Sequence, residues 1–171
     1  MRSESFPNWY GYELLDGKLI GSEHPENLHF DPAEKRRITH QIAHHLRQDH
    51  GVRAVLNLTA SPWEYGDAGL IAYHLPIPEA SMDACPRELL VRAVQIIDQV
   101  TSTGGSAWVH CQRGIDRTGC VIGCYLTSLE RDPESVICDI KAQWPKYRVS
   151  GSGFELWEPA AKRIREYAAA R

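Results

Sequence analysis

Short apolar runs that alternate with stretches of helical periodicity constrain this chain more than any other feature of its sequence. Val52 to Leu58 (VRAVLNL), Ile71 to Leu75 and Ala107 to His110 have strand length and are bounded by Gly and Pro, as expected of strands with both sheet faces covered. Lys18 to Gly21 is a further short strand candidate. Between them, apolar residues recur at helical spacing. Ile38, Ile42, Ala43 and Leu46 mark a helix that starts at Phe30-Asp31-Pro32, with Asp31 as N-cap and Pro32 at the first helical position, and runs to about Asp49 before Gly51. Leu89, Leu90, Ala93, Val94, Ile96, Ile97 and Val100 place a second over Arg87 to Thr101, behind Pro86 and ahead of Gly104-Gly105. Further helices are read over Thr118 to Glu130, from Pro133 to about Trp144, and over Phe154 to Ala169. The alternation predicts an α/β fold with a mostly parallel central sheet flanked by helices. In 171 residues a second core does not fit, so 1–171 is expected to form a single domain.

Charge and cysteine content narrow the function classes. Nineteen basic against 22 acidic residues give a formal charge of −3 with no long block of one sign, so neither nucleic acid nor an anionic membrane is an expected partner. No apolar run approaches the roughly 18 residues of a membrane span. The first residues include Glu4, Pro7, Glu13 and Asp16 and have no apolar centre, so no secretory signal is expected and the cytoplasm is the default location. A monomer is expected. The five cysteines, an odd number spread from Cys85 to Cys138, predict reduced thiols and no disulfide framework.

The chemistry concentrates in His110-Cys111-Gln112-Arg113-Gly114-Ile115-Asp116-Arg117-Thr118-Gly119, which joins a buried strand to an apolar helix. In open α/β sheets, ligands bind at this end of the strands. Backbone N–H groups of Gln112, Arg113, Gly114, Ile115, Asp116 and Arg117 would form a nest for an oxyanion such as phosphate, reinforced by the positive end of the helix. The same groups and Arg117 favour the thiolate of Cys111, which makes it a nucleophile. Arg117, six residues on, can return a guanidinium to the equatorial oxygens of a phosphoryl group in a bidentate clamp. Gly114 permits the tight curvature. Thr118 would place a hydroxyl beside the sulfur and stabilise the thiolate as it departs. This chemistry calls for no metal and no cofactor.

These residues resemble the signature of the cysteine-based protein tyrosine phosphatases: His-Cys, five residues, then Arg followed by Thr or Ser and usually Gly. The resemblance extends from about Lys18 to Ala168, through GKLIGSEHP, VRAVLNL, YHLPIP, a helix, the signature and the later helices. At this length the chain looks like the compact dual-specificity branch and its bacterial relatives. The resemblance implies a phosphomonoester hydrolase with a phosphocysteine intermediate that acts on phosphoproteins, phosphotyrosine first and phosphoserine or phosphothreonine in addition. A phosphoinositide or inositol phosphate is the alternative substrate; a catalytically silent phosphate-binding module is the alternative from another class. The family also implies a general acid on a mobile loop around 30 residues before the nucleophile. Asp83, 28 residues before Cys111, is preferred; Glu79, 32 residues before it and after Pro76-Ile77-Pro78, and Asp116 inside the loop are alternatives. Some phosphoinositide phosphatases similar to this family carry an Asp immediately before the signature Arg, proposed there as the acid. Glu79 to Cys85, bracketed by Pro76, Pro78 and Pro86, has no strong helix or strand pattern, which suits a lid.

Other residues have a plainer reading beside the functional one. His110 is expected to order the loop by hydrogen bonding without transferring protons. Arg113 reads as a solvated side chain or as a second phosphate contact. His40 and His44 have a metal-ligand spacing, yet a solvated helix face is the simpler account. Cys120 and Cys124 read as core, and Asp83 and Glu88 are expected to raise the pKa of Cys85. Trp63, Tyr65, Trp144 and Tyr147 belong to the core or line the cleft, and Arg148 falls on a loop that in the family often positions substrate or water.

Overall fold

The computed structural model describes residues 11–25, 31–78, 82–143 and 152–171, with side chains from 157 onward in the last stretch. Its elements are β1 (Gly11–Leu14), β2 (Leu19–Ser22), α1 (Pro32–Asp49), β3 (Val52–Asn57), β4 (Ile71–His74), α2 (Arg87–Ser102), β5 (Ser106–His110), α3 (Asp116–Ser128), α4 (Pro133–Ala142) and α5 (Ser152–Ala169). The five strands form one sheet in the order β1-β2-β5-β3-β4. β1 runs antiparallel to β2 and every other pairing is parallel, so the predicted α/β architecture with a mostly parallel sheet is the observed one.

Period-2 alternation along the strands sends side chains into two cores. Ile20, Val55 and Trp108 pack with Ile38, Ile42, Ala43 and Leu46 of α1 on one face. Leu19, Ala54, Leu56, Ala107 and Val109 join residues of α2, α3, α4 and α5 on the other. The central strand β5 is buried along its whole length. Asp31 caps α1 as expected, its Oδ1 accepting the Glu34 N–H at 2.9 Å, and Asp132 caps α4 through the Ser135 N–H at 2.8 Å.

The structure departs from the sequence reading at three places. β1 precedes the first strand read from the sequence; Asp16 and Gly17, at φ 53 and 82, turn it back onto β2, with the Lys18 N–H donating to the Leu15 carbonyl at 3.1 Å. This is the left-handed pair that Asp-Gly supplies to tight hairpins. β4 was expected to be covered on both faces. It is the sheet edge, mostly exposed, and Ile71 is 58% accessible. α3 also begins at Asp116, two residues before the predicted Thr118.

Two glycines set the distance between α3 and α5. A Cβ on Gly119 would stand 2.6 Å from the Trp157 ring, and one on Gly123 2.3 Å from Ile164 Cδ1. Their absence lets α5 approach the helix whose first turn carries Arg117. No described helix is long and apolar enough to cross a membrane.

Candidate active site

The loop from Cys111 to Ile115 leaves the buried end of β5 and enters α3. Cys111 is fully buried, and its Sγ accepts the Gly114 N–H at 3.3 Å. Gly114 lies at φ 72, and a Cβ there would meet the Ser22 carbonyl carbon at 2.5 Å and the Glu23 nitrogen at 2.6 Å. The left-handed backbone and the close approach together require glycine. The back of the loop therefore rests on the end of β2. There the His24 N–H donates to the Gln112 carbonyl at 3.3 Å, the Tyr12 hydroxyl makes a long 3.5 Å bond to the Gly114 carbonyl, and Trp108 Nε1 donates to Ser22 Oγ at 2.8 Å.

Arg117, in the first turn of α3, is 4% exposed and donates from Nη1 to the Leu58 carbonyl at 3.3 Å. Leu58 also donates its N–H to the His110 carbonyl at 2.9 Å, so the strand end that holds the guanidinium also holds the residue before the cysteine. The Thr118 hydroxyl is buried with no hydrogen-bond partner among the described residues. Ile115 is buried, Gln112 and Asp116 are half-buried, and Arg113 is exposed with no ion pair among the described residues. The structure thus brings Cys111, Gly114, Arg117 and Thr118 together at one strand-to-helix junction.

His110 is buried and its Nε2 lies 2.6 Å from the Tyr65 hydroxyl. Burial, with His24 and Arg117 nearby, holds its pKa well below the usual histidine range, and burial pushes the Tyr65 phenol up. Both rings are neutral at physiological pH. The two rings meet edge-on, His110 also edge-on with His24 and Tyr65 with Trp108, the packing expected of a histidine that orders the loop without transferring protons.

Of the acid candidates, Asp83 sits on a 3₁₀ turn, Met82–Ala84, where the sequence suggested no regular structure. Its Oδ1 is 3.2 Å from Lys162 Nζ of α5. Asp116 stands in the first turn of α3, favourable for a carboxylate at a helix start. Glu79 lies outside the described residues, as do Trp144, Tyr147 and Arg148.

The plainer readings sort as follows. All five cysteines are free, and Cys120 and Cys124 are core residues. The Cys85 thiol is pushed up to about 11 chiefly by burial and then by Cys120, with Arg163 opposing. The expected direction holds, but the cause is burial and not Asp83 and Glu88. His44 pairs with Asp67 at 2.9 Å, and the His40 ring lies against Gly66. No group of three metal-ligating side chains forms among the described residues. Tyr65 belongs to the core; Trp63 is half-buried and donates to Thr39 Oγ1 at 3.2 Å. Sequence reasoning missed the roles of Tyr65, Ser22 and His24. The density of aromatic residues in the Thr59 to Gly69 connection and the SEH of GKLIGSEHP were the signals available.

The sequence model of a family described as "Polymorphic toxin system, DSP-PTPase phosphatase" matches residues 32–130, more than half of the chain. The chain belongs to this phosphatase family. Over 82 residues it is 32% identical to the dual specificity protein phosphatase CDC14B of Mus musculus, a match that covers 46% of this chain and 16% of that protein. The matched stretch is thus a small part of the relative's own length. Among solved structures, Tk-PTP in its active form superposes with a TM-score of 0.68 at 19% identity, covering 93% of this chain and 97% of that one. PTPMT1 in complex with PI(5)P superposes with a TM-score of 0.62 at 17% identity, covering 94% and 98%. These two share the fold of this DSP-PTPase domain.

Proposed function

We propose that this DSP-PTPase domain hydrolyses phosphomonoesters through a phosphocysteine intermediate. The observation that carries the reading is the loop itself: a buried Cys111 sulfur that accepts the Gly114 N–H, six residues ahead of a buried Arg117. Cys111 attacks phosphorus in line with the leaving oxygen, so that an S–P bond forms as the P–O bond breaks. Arg117 and the N–H groups of Gln112 to Arg117 receive the equatorial oxygens. Asp83 gives its proton to the leaving oxygen and then takes one from the water that cleaves the S–P bond. The unpartnered Thr118 hydroxyl is free to donate to the departing thiolate. Cys111→Ser should abolish turnover of an aryl phosphate and Arg117→Ala should lower it severely. A chelator should leave the rate unchanged. Radiolabelled phosphate should be trapped on Cys111; a chain that binds phosphate without trapping it is the silent module instead.

For the acid, Asp83→Asn should cost about 10² to 10⁴ in rate on a poor leaving group and much less on a good one. If Glu79→Gln or Asp116→Asn shows that pattern and Asp83→Asn does not, the role passes to that residue. For the substrate we propose phosphoproteins, phosphotyrosine first, acted on in the cytoplasm, where free thiols persist; the similarity to a dual specificity protein phosphatase supports it. Exposed Arg113, beside the nucleophile and in no ion pair among the described residues, favours a second reading, a polyanion such as a phosphoinositide or inositol phosphate. PTPMT1 was crystallised with such a lipid. Catalytic efficiency on phosphopeptides and inositides decides between them. An inositide preference of about a hundredfold or more overturns the phosphoprotein reading.

A further inference from the structure

Arg163 of α5 stands where three elements meet, and none of the chemistry above uses it. Its Nη2 donates to the carbonyl oxygen of Cys85, the residue whose own N–H closes the 3₁₀ turn onto Met82 at 3.1 Å. Its Nη1 donates to Glu166 Oε2, one helical turn further along α5, at 2.8 Å. Its charge opposes the upward push that burial gives the Cys85 thiol, and that the hydrogen bond with Cys124 and then burial give the Cys120 thiol on α3. The side chain is 21% exposed, compared with 61% for the neighbouring Lys162. A planar guanidinium held by a carboxylate of its own helix fixes an acceptor more firmly than a solvated ammonium does. The Lys162–Asp83 pair, exposed on both sides, contributes little by comparison.

The same turn is anchored from beneath. Met82 and Cys85 flank Asp83 and are 2% and 1% exposed, in the core that also takes Trp157 and Ala160 of α5. Asp83 is thus carried between two buried residues, one of them bonded through its carbonyl to Arg163.

We infer that Arg163 is a positioning residue for the general acid: by holding the Cys85 carbonyl it ties the Asp83 turn to α5, so the carboxyl is presented from an anchored turn and not from the freely moving lid that the sequence suggests. The inference rests on the assignment of Asp83 as the acid. In the step it serves, the Asp83 proton passes to the leaving oxygen as the S–P bond forms and the P–O bond breaks; no proton passes through Arg163.

The test compares Arg163→Met, Arg163→Lys and Asp83→Asn in the full chain across phosphate esters of rising leaving-group pKa. Arg163→Met should lose about 10-fold or more on an alkyl phosphate and less than about threefold on an ester with a good leaving group. Arg163→Lys should recover part of the loss, and all variants should still trap phosphate on Cys111. Glu166→Gln, which frees the guanidinium, should show the same bias at smaller size and keeps the test available if Arg163→Met does not fold. An equal loss on every ester, or no loss, overturns the inference. If Asp83→Asn itself shows no leaving-group bias, the acid assignment fails and takes the inference with it. If Asp83→Asn is biased and the Arg163 and Glu166 variants are not, the inference alone fails.

Discussion

A single methyl group at residue 114 would test the seat of the loop. Gly114→Ala must relieve both a 2.5 Å contact with the Ser22 backbone and a left-handed φ of 72. We expect about 1–3 kcal/mol of destabilisation and a loss of turnover well beyond it, measured by urea unfolding beside kinetics; unchanged activity would show that the loop does not need this seat. His110 makes a second prediction. Its pKa is depressed in the folded chain, so below the ordinary histidine value of about 6.5 the unfolded state binds the proton that the folded state refuses. Stability is therefore full above that value and declines as the pH falls through it, by up to about 1.4 kcal/mol per unit from this one group. Unfolding titrations between about pH 7.5 and 5.5 should show a shallower slope for His110→Gln than for the parent. Equal slopes would assign the acid sensitivity elsewhere.

At the scale of elements, α3 and α5 meet on glycine. Gly123→Ala improves helix propensity by about 0.8–1 kcal/mol, but its Cβ falls 2.3 Å from Ile164 Cδ1, and overpacking of this kind costs about 1–3 kcal/mol. The single variant should be less stable than the parent. Adding Ile164→Val removes Cδ1 but keeps a γ-carbon at the 2.7 Å contact of Cγ1, so it should return part of the loss in urea titrations; a non-additive recovery is the expected signature of contact. Helices α1 and α4 were legible because their start signals, Asp31-Pro32 and Pro133, act within one turn. Cys111 to Thr118 was legible for the same reason, its groups being consecutive. β1 was missed because GYEL is short, although Asp16-Gly17 marked the hairpin. The exposure of β4 could not be read from Ile71 to Leu75, since an apolar run does not say which neighbour the sheet order will deny it. Arg163 and Cys85, 78 residues apart, meet only in the folded chain, where α5 packs on both α3 and the 3₁₀ turn.

Across the whole molecule, protection should follow sheet position. Backbone amides of β5, with a strand on each side and a helical layer on each face, should exchange with solvent only on global unfolding. Those of the exposed edge β4 should exchange sooner through smaller openings, and hydrogen-exchange mass spectrometry resolves the two; equal protection would contradict a single edge of low stability. The contact between Gly114 and the Ser22–Glu23 backbone has a consequence for engineering and for descent alike. The loop after Cys111 is moulded against a hairpin that lies far upstream, so its shape is inherited from two distant stretches of chain at once. A fragment beginning at Pro32 would preserve every letter of the signature and lose the mould, and it should fail to trap phosphate. The motif is not portable: grafted onto another strand-to-helix junction it would need, in register with its glycine, a neighbouring strand end that comes as close as Ser22 does here.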